Sequence, residues 1–190
     1  MEKYIVLTLS YILGSIPFSL IITRVKGINL RKIGSGNIGA TNVARTGNKK
    51  LAALILFLDS LKGFIAVYIT QLFFKNCIYT SAILAVLGHI FPIWLKFHGG
   101  KGVATTLGIL IALNITLALI FILTWLVVFS SFKYSSLASL SSTTITVIAS
   151  PFFQKKLFFI LLIIATLIFS KHYKNIINLL QKKEYKFYKE

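Results

Sequence analysis

Residues 103–132 read VATTLGILIALNITLALIFILTWLVVFSSF, thirty residues without one Asp, Glu, Lys or Arg. As one straight helix the stretch would measure about 45 Å at ~1.5 Å per residue, against ~30 Å of bilayer hydrocarbon. It is too apolar for a water-facing helix and too long for one comfortable crossing. A break near Asn114 would divide it into two short, tilted or partly re-entrant helices; a single steeply tilted helix is the alternative. On either reading these residues belong in lipid.

Outward from this stretch, further runs free of charge cover residues 4–23, 76–95, 134–154 and 157–170, and residues 51–74 are apolar apart from Asp59 and Lys62. The first run lacks a small-residue cleavage pattern and is long for a signal-peptide core, so it is expected as a mature helix. The last is short and is set off from its predecessor by Pro151 and Lys155-Lys156. Across 190 residues the chain is 56% hydrophobic and only 13% charged, yet its net charge is +17. A soluble nucleic-acid binder would spend far more of its length on charge, so no nucleic-acid partner is expected. Membrane residence accounts for both figures. The length leaves room for one domain, residues 1–190. The single Cys77 excludes an internal disulfide and multi-cysteine metal sites, and the four acids, Glu2, Asp59, Glu184 and Glu190, are too scattered for a carboxylate-bound metal centre. No metal and no cofactor are expected.

Cytoplasmic loops carry the excess of Lys and Arg, which gives a way to count crossings. With seven crossings and the N-terminus outside, sixteen of the 21 basic residues fall inside, among them Arg24, Arg31, Arg45, Lys96, Lys101, Lys133 and the lysines from Lys171 onward. Six crossings would put the C-terminal lysines outside. The expected fold is therefore an all-α integral membrane bundle of about seven transmembrane helices, N-terminus outside and C-terminus cytoplasmic.

Two loops beside these runs concentrate glycine and cations, and both fall on the cytoplasmic side. Residues 31–45 read RKIGSGNIGATNVAR. Gly34, Gly36 and Gly39 let backbone N–H groups approach an anion, Ser35, Asn37, Thr41 and Asn42 add side-chain donors, and Arg45 supplies a fork-shaped cation. A flexible interfacial loop with ordinary turn residues is the competing account. Residues 88–105 read GHIFPIWLKFHGGKGVAT. Gly99, Gly100, Lys101 and Gly102 open directly into an apolar helix, where unpaired N–H groups and the positive helix end are expected to meet a phosphate beside Lys101. It is not a Walker A loop, since Gly102 rather than Ser or Thr follows the lysine.

The histidines differ in promise. His89 is expected to hydrogen-bond a neighbouring helix, and His98 is distinguished only by its place next to the glycines. His172 and Asn175 are three apart at the end of the last run and can face one ligand, although a solvated helix end is the plainer account. Ser135, Ser136 and Ser139 are expected to bond back to their own helix, and no serine triad assembles. Asp59 and Lys62, also three apart, are expected to neutralise one helix face within the membrane.

Taken in order, Gly14-Ser-Ile-Pro-Phe18, the first glycine loop, Leu58-Asp-Ser-Leu-Lys-Gly63, residues 88–105, Tyr134-Ser-Ser-Leu-Ala-Ser139 and His172 to Asn175 resemble the PlsY family of bacterial membrane glycerol-3-phosphate acyltransferases over nearly the whole chain. The resemblance implies transfer of a fatty acyl group from acyl phosphate to the 1-hydroxyl of glycerol 3-phosphate, giving lysophosphatidic acid and phosphate for phospholipid biosynthesis. The implied location is the bacterial inner membrane, multi-pass, with the site facing the cytoplasm. The implied partners are the two substrates, bilayer lipid and, as a functional neighbour, the soluble enzyme that makes acyl phosphate. Carried over by motif position, Ser35, Arg45, Ser139, His172 and Asn175 are the catalytic set. Gly36, Asn37, Gly39, Thr41, Asn42, Gly99, Gly100, Lys101 and Gly102 bind substrate phosphate, and Glu184 is structural. Lys133 and Lys171 stand where the family commonly has arginine, and a lysine cannot make the same bidentate contact.

The implied chemistry needs little apparatus, because an acyl phosphate is already activated. Arg45 and Lys101 would neutralise two phosphates that otherwise repel, with Ser35, Ser139 and backbone N–H groups steadying the oxyanion. The proton of the attacking hydroxyl goes to His172, with Asn175 orienting the hydroxyl, or to a substrate phosphate oxygen. A transporter for an anionic metabolite, or a lipid-binding membrane protein, would also hold cationic glycine loops. The sequence shows no internal repeat, and neither class explains both loops together.

Overall fold

The computed structural model describes residues 2–187, and every regular element among them is helical. The chain divides into two compact units, one up to Ala112 and one from Leu113 onward.

The first unit begins with α1 (Glu2–Ser15) and α2 (Phe18–Val25). The run expected as one helix over residues 4–23 is thus interrupted at Ile16-Pro17, where Pro17 has no N–H to continue the ladder and sits at φ −89°, ψ 64°. The short α3 (Ala40–Ala44) lies between the first glycine loop and α4 (Lys49–Phe73), which starts where Asn48 accepts a hydrogen bond from the Leu51 N–H (2.9 Å). Then come α5 (Ile78–Ile90) and α6 (Val103–Leu113).

In lipid there is little hydrophobic gain from bringing two apolar helices together, so close backbone approach and polar contacts do the work. A Cβ on Gly14 would strike the Ala85 backbone, and one on Gly88 would strike that of Tyr11, so α1 and α5 touch main chain to main chain. Gly63 of α4 and Gly108 of α6 meet Thr105 and Ser60 in the same way. Between α1, α4 and α5 lies a buried knot of hydroxyls. Ser10 and Ser81 are 2.8 Å apart, and Thr70 donates to Ser81 (3.0 Å).

Near the start of the second unit Asn114 takes an extended conformation and accepts the Leu117 N–H on its side chain (3.0 Å), opening α7 (Ile115–Phe132). Of the two readings of residues 103–132, the structure therefore has two helices, since an asparagine is a better helix cap than a mid-helix residue. Lys133, in the left-handed region at φ 62°, ends α7. It leads into α8 (Ser135–Ala149), which packs against α7 and against α9 (Lys155–Lys171). At His172 the chain bends by 64° into α10 (Tyr173–Leu180), which contacts α8 and α9. The segment after α10 returns to α7: the Phe187 N–H donates to the Lys133 carbonyl (3.0 Å) and its ring meets Phe129 edge-on.

Among the described residues, four helical stretches are long and apolar enough to cross a bilayer: Lys3–Val25, Lys49–Phe73, Lys75–Leu95 and Ile115–Phe132. Taken together as one broken span, the bent pair α9 and α10 would make a fifth. Phe57, Leu123, Val127 and Phe159 are each more than half exposed, a surface suited to lipid tails and costly in water.

Candidate functional site

The first glycine loop is not the flexible connection that its composition allows. Three apolar residues interleaved with its polar ones, Leu30, Ile38 and Val43, are buried with Leu51, Ala52 and Ile55 of α4 and anchor it. Gly34 and Gly36 take φ of 52° and 68°, which a side chain would strain. The Gly36 N–H closes a turn onto the Ile33 carbonyl (2.9 Å).

Asn42 organises this loop from inside. It is 1% exposed; its amide nitrogen donates to the carbonyls of Leu30 (3.1 Å) and Ile33 (2.9 Å), and its oxygen accepts from the Ser35 N–H (3.1 Å). Expected as a donor to an anion, Asn42 has both amide hydrogens committed to the loop itself. Ser35 stays exposed on the outer side of this bond, and Gly39 leads into α3, which carries Thr41. Arg45 is half-buried at the end of α3 with its stem beside Gly34, 3.2 Å from the position a Cβ would take there; Asn37 is likewise half-buried in the loop.

The second loop folds back on the helix that precedes it. The Gly99 N–H donates to the Ile90 carbonyl and the Gly100 N–H to that of His89, both at 3.1 Å, so these two amides cap α5. This corrects the expectation that they are unpaired and aimed at a phosphate: a helix end with open carbonyls takes nearby donors first. A Cβ on Gly99 would strike the His89 carbonyl, and one on Gly100 the His89 ring. Gly102, at φ 87°, then turns the chain into α6, whose first-turn N–H groups have no partner within the helix. The amides that can meet an anion beside Lys101 are those from Gly102 onward.

One contact joins the two loops. The Arg31 guanidinium, reaching from the first, donates to the His98 carbonyl of the second (2.8 Å), one residue before Gly99. Beneath them lies a buried polar chain. Lys62 pairs with Asp59 (2.8 Å), as the three-residue spacing suggests, and also donates to the Ile16 carbonyl exposed by the break before Pro17 (2.8 Å). Asp59 of α4 faces His89 of α5, 3.7 Å from its Nδ1.

In the second unit, Ser139 is buried and bonds back to the Ser135 carbonyl (2.8 Å) while accepting from the Trp125 indole (3.2 Å). Its one hydroxyl proton is engaged, so it becomes a donor to substrate only by rotating. His172 is 2% exposed at the bend, not solvated, with Nδ1 2.9 Å from the Ile168 carbonyl. A carbonyl only accepts, so Nδ1 carries the proton and Nε2 is the basic nitrogen. Asn175, on α10, donates to Glu184 (2.7 Å), which also accepts from Ser136 of α8 (2.9 Å). The Ser136 bond to Glu184 corrects the expectation that this serine bonds back to its own helix, and Arg31, read from sequence only as a cytoplasmic loop cation, is the residue that reaches the second loop; neither differs locally from an ordinary helix serine or a loop arginine.

The comparisons with known proteins bear on this arrangement directly. The family description "Glycerol-3-phosphate acyltransferase" matches residues 4–182. The chain belongs to the PlsY family of glycerol-3-phosphate acyltransferases. It is 73% identical over 192 residues to the glycerol-3-phosphate acyltransferase of Wolbachia pipientis wMel, with both chains covered in full. It is 51% identical over 176 residues to that of Mesorhizobium japonicum, covering 92% of this chain and 90% of the relative. Its fold is similar to the crystal structure of PlsY, an integral membrane glycerol 3-phosphate acyltransferase, in its glycerol 3-phosphate form. That match has a TM-score of 0.93 and 38% identity and covers 99% of this chain and 96% of the other. Against the lysophosphatidic acid form the TM-score is 0.91 at 37% identity, with 98% and 95% covered. As a PlsY family member the chain is a membrane-embedded acyltransferase, and the candidate site has to be read in those terms.

Proposed function

We propose that the protein transfers a fatty acyl group from acyl phosphate to the 1-hydroxyl of glycerol 3-phosphate, releasing lysophosphatidic acid and inorganic phosphate. The hydroxyl oxygen attacks the acyl carbonyl, the bond from carbon to the phosphate oxygen breaks, and phosphate departs with the bonding pair. The observation that carries this reading is the Arg31 to His98 bond, which ties together two loops that each bear a cation. Two phosphate-bearing substrates must be held side by side against their mutual repulsion, and two adjoining cationic loops meet that need.

In this reading Arg45 and the backbone around Gly36, Asn37, Gly39 and Thr41 take one phosphate. Lys101, with the first-turn amides from Gly102, takes the other, while Gly99 and Gly100 hold the loop. Ser35 and a rotated Ser139 stabilise the oxyanion. His172 accepts the hydroxyl proton at Nε2 with Asn175 positioning it, or a substrate phosphate oxygen accepts it instead. Purified protein mixed with acyl phosphate and glycerol 3-phosphate is expected to release phosphate only when both are present. Release independent of glycerol 3-phosphate, or none, would sink the reading. Unchanged turnover in His172→Ala assigns the proton to substrate phosphate.

The topology follows the same charge argument. Seven apolar helical segments among the described residues, α1 with α2, then α4, α5, α6, α7, α8 and α9, support a count of seven crossings, with α6 at 11 residues and α8 at 15 as short ones. We take the N-terminus as outside, the C-terminus and both loops as cytoplasmic, residues 1–190 as one acyltransferase domain, and the membrane as the bacterial inner membrane. The soluble enzyme that forms acyl phosphate is the functional neighbour, and the donor's acyl chain enters from the bilayer between apolar helices.

A further inference from the structure

Two accounts explain a glycine in a phosphate loop: space for the ligand, or space for the protein itself. At Gly100 the surroundings distinguish them. The three heavy atoms nearest to a Cβ built there all belong to the His89 imidazole, namely Nε2, Cε1 at 2.9 Å and Cδ2 at 3.1 Å. The φ of Gly100 is not in the left-handed region, so its backbone accepts any L-residue, and the ring is the first obstacle to a side chain. The same histidine binds this glycine through its main chain, since the Gly100 N–H donates to the His89 carbonyl (3.1 Å). On its other edge the ring faces Asp59, 3.7 Å from Nδ1, and Asp59 is held by Lys62 at 2.8 Å. All three side chains are less than 9% exposed. Lys62 is fixed in turn by the Ile16 carbonyl at the break between α1 and α2.

We propose that His89, braced by Asp59, is a positioning residue for the second loop, and that Gly100 is glycine to admit the His89 ring, not a phosphate. The imidazole is a wall against which Gly99 and Gly100 lie flat, and the flat pair delivers Lys101 and the start of α6 at a set position. A wall that is buried and charge-braced does not yield when a substrate phosphate pulls on Lys101. This rests on the reading that Lys101 meets a substrate phosphate.

The test is a double-variant cycle on the full chain in detergent. Gly100→Ala is expected to lower Tm and to raise KM for one of the two substrates about tenfold, since a shift of the loop misplaces Lys101. The substrate whose KM rises is the one the loop holds. His89→Ala removes the ring, so His89→Ala/Gly100→Ala is expected to be no worse than His89→Ala alone in both readings. If the double variant instead shows the product of the two single effects, Gly100 serves something other than His89 and the proposal falls. Asp59→Asn, which keeps an oxygen within reach of Nδ1, is expected to raise KM less than Asp59→Ala. Equal KM in every variant, with lost activity tracking lost folded protein, also overturns it. Should His89→Ala fail to fold, His89→Asn, which lacks the two nearest ring atoms Nε2 and Cε1, takes its place. The unfolding cycle needs no turnover, so absence of transferase activity in the unaltered protein overturns the proposed reaction and leaves the packing test standing.

Discussion

Replacing Asn42 by alanine removes four hydrogen bonds from the first glycine loop: those to the Leu30 and Ile33 carbonyls and those from the Ser35 N–H and, at 3.4 Å, the Ser35 hydroxyl. Two of them are made by an amide on a residue 1% exposed, where water cannot fully replace it, and the other two lie beside exposed Ser35. At about 1 kcal/mol net for each buried bond and less for the outer ones, the closed loop loses about 2–3 kcal/mol. Amide exchange across residues 30–44 should then accelerate roughly thirty- to a hundredfold in the absence of substrate. Asn42→Asp should be worse, because it places a second oxygen about where Nδ2 stood, facing two carbonyl oxygens, while keeping the acceptor for Ser35. Hydrogen exchange followed by mass spectrometry on the detergent-solubilised protein reads both variants. If Asn42 acts instead as a ligand to substrate phosphate, exchange in the unliganded Asn42→Ala protein matches the unaltered chain and only substrate-bound protection changes. That result would refute the assignment of Asn42 to the loop.

Other perturbations separate the parts of the site. Arg31→Gln cuts the bond to the His98 carbonyl at an exposed position, and a loss of about 1 kcal/mol should appear as a several-fold rise in KM with kcat nearly unchanged in steady-state kinetics. Lys62→Met leaves Asp59 buried without its closest cation and should cost about 3–5 kcal/mol, read as a large fall in Tm; adding Asp59→Asn should restore most of it. Glu184→Ala removes the acceptor shared by Ser136 and Asn175, so trypsin should cut at Lys182 and Lys183 faster than in the unaltered protein, whereas Glu184→Gln keeps an oxygen for both donors and should resist.

The glycines show how far a motif can be read. Glycine and lysine in sequence suggest an anion-binding loop, and the proposed function rests on that suggestion. What each glycine does is a separate matter. Gly36 and Gly102 have left-handed φ and serve the chain's course, whereas Gly99 and Gly100 make room for the end of α5 and spend their amides there. Composition cannot tell these uses apart, because a tight turn and a tight contact both select the smallest residue.

What the sequence alone determined was set by local rules. Apolar run length and the near absence of charge imply membrane helices, the three-residue spacing pairs Asp59 with Lys62, and the order of the motifs identifies the family, whereas residues 103–132 stayed open between two helices and one until the structure showed Asn114 starting a second helix. Each depends on residues within a turn or two of one another, or on their order. The tertiary structure alone decided which polar groups are spent on the protein and which face outward. Arg31 meets a carbonyl 67 residues away, Ser136 meets an acid 48 residues away, and the amides of Gly99 and Gly100 turn back onto α5. Such partners are chosen by helix packing, which brings distant donors and acceptors within hydrogen-bond distance, and an unmet buried polar group costs too much to leave open once they are there.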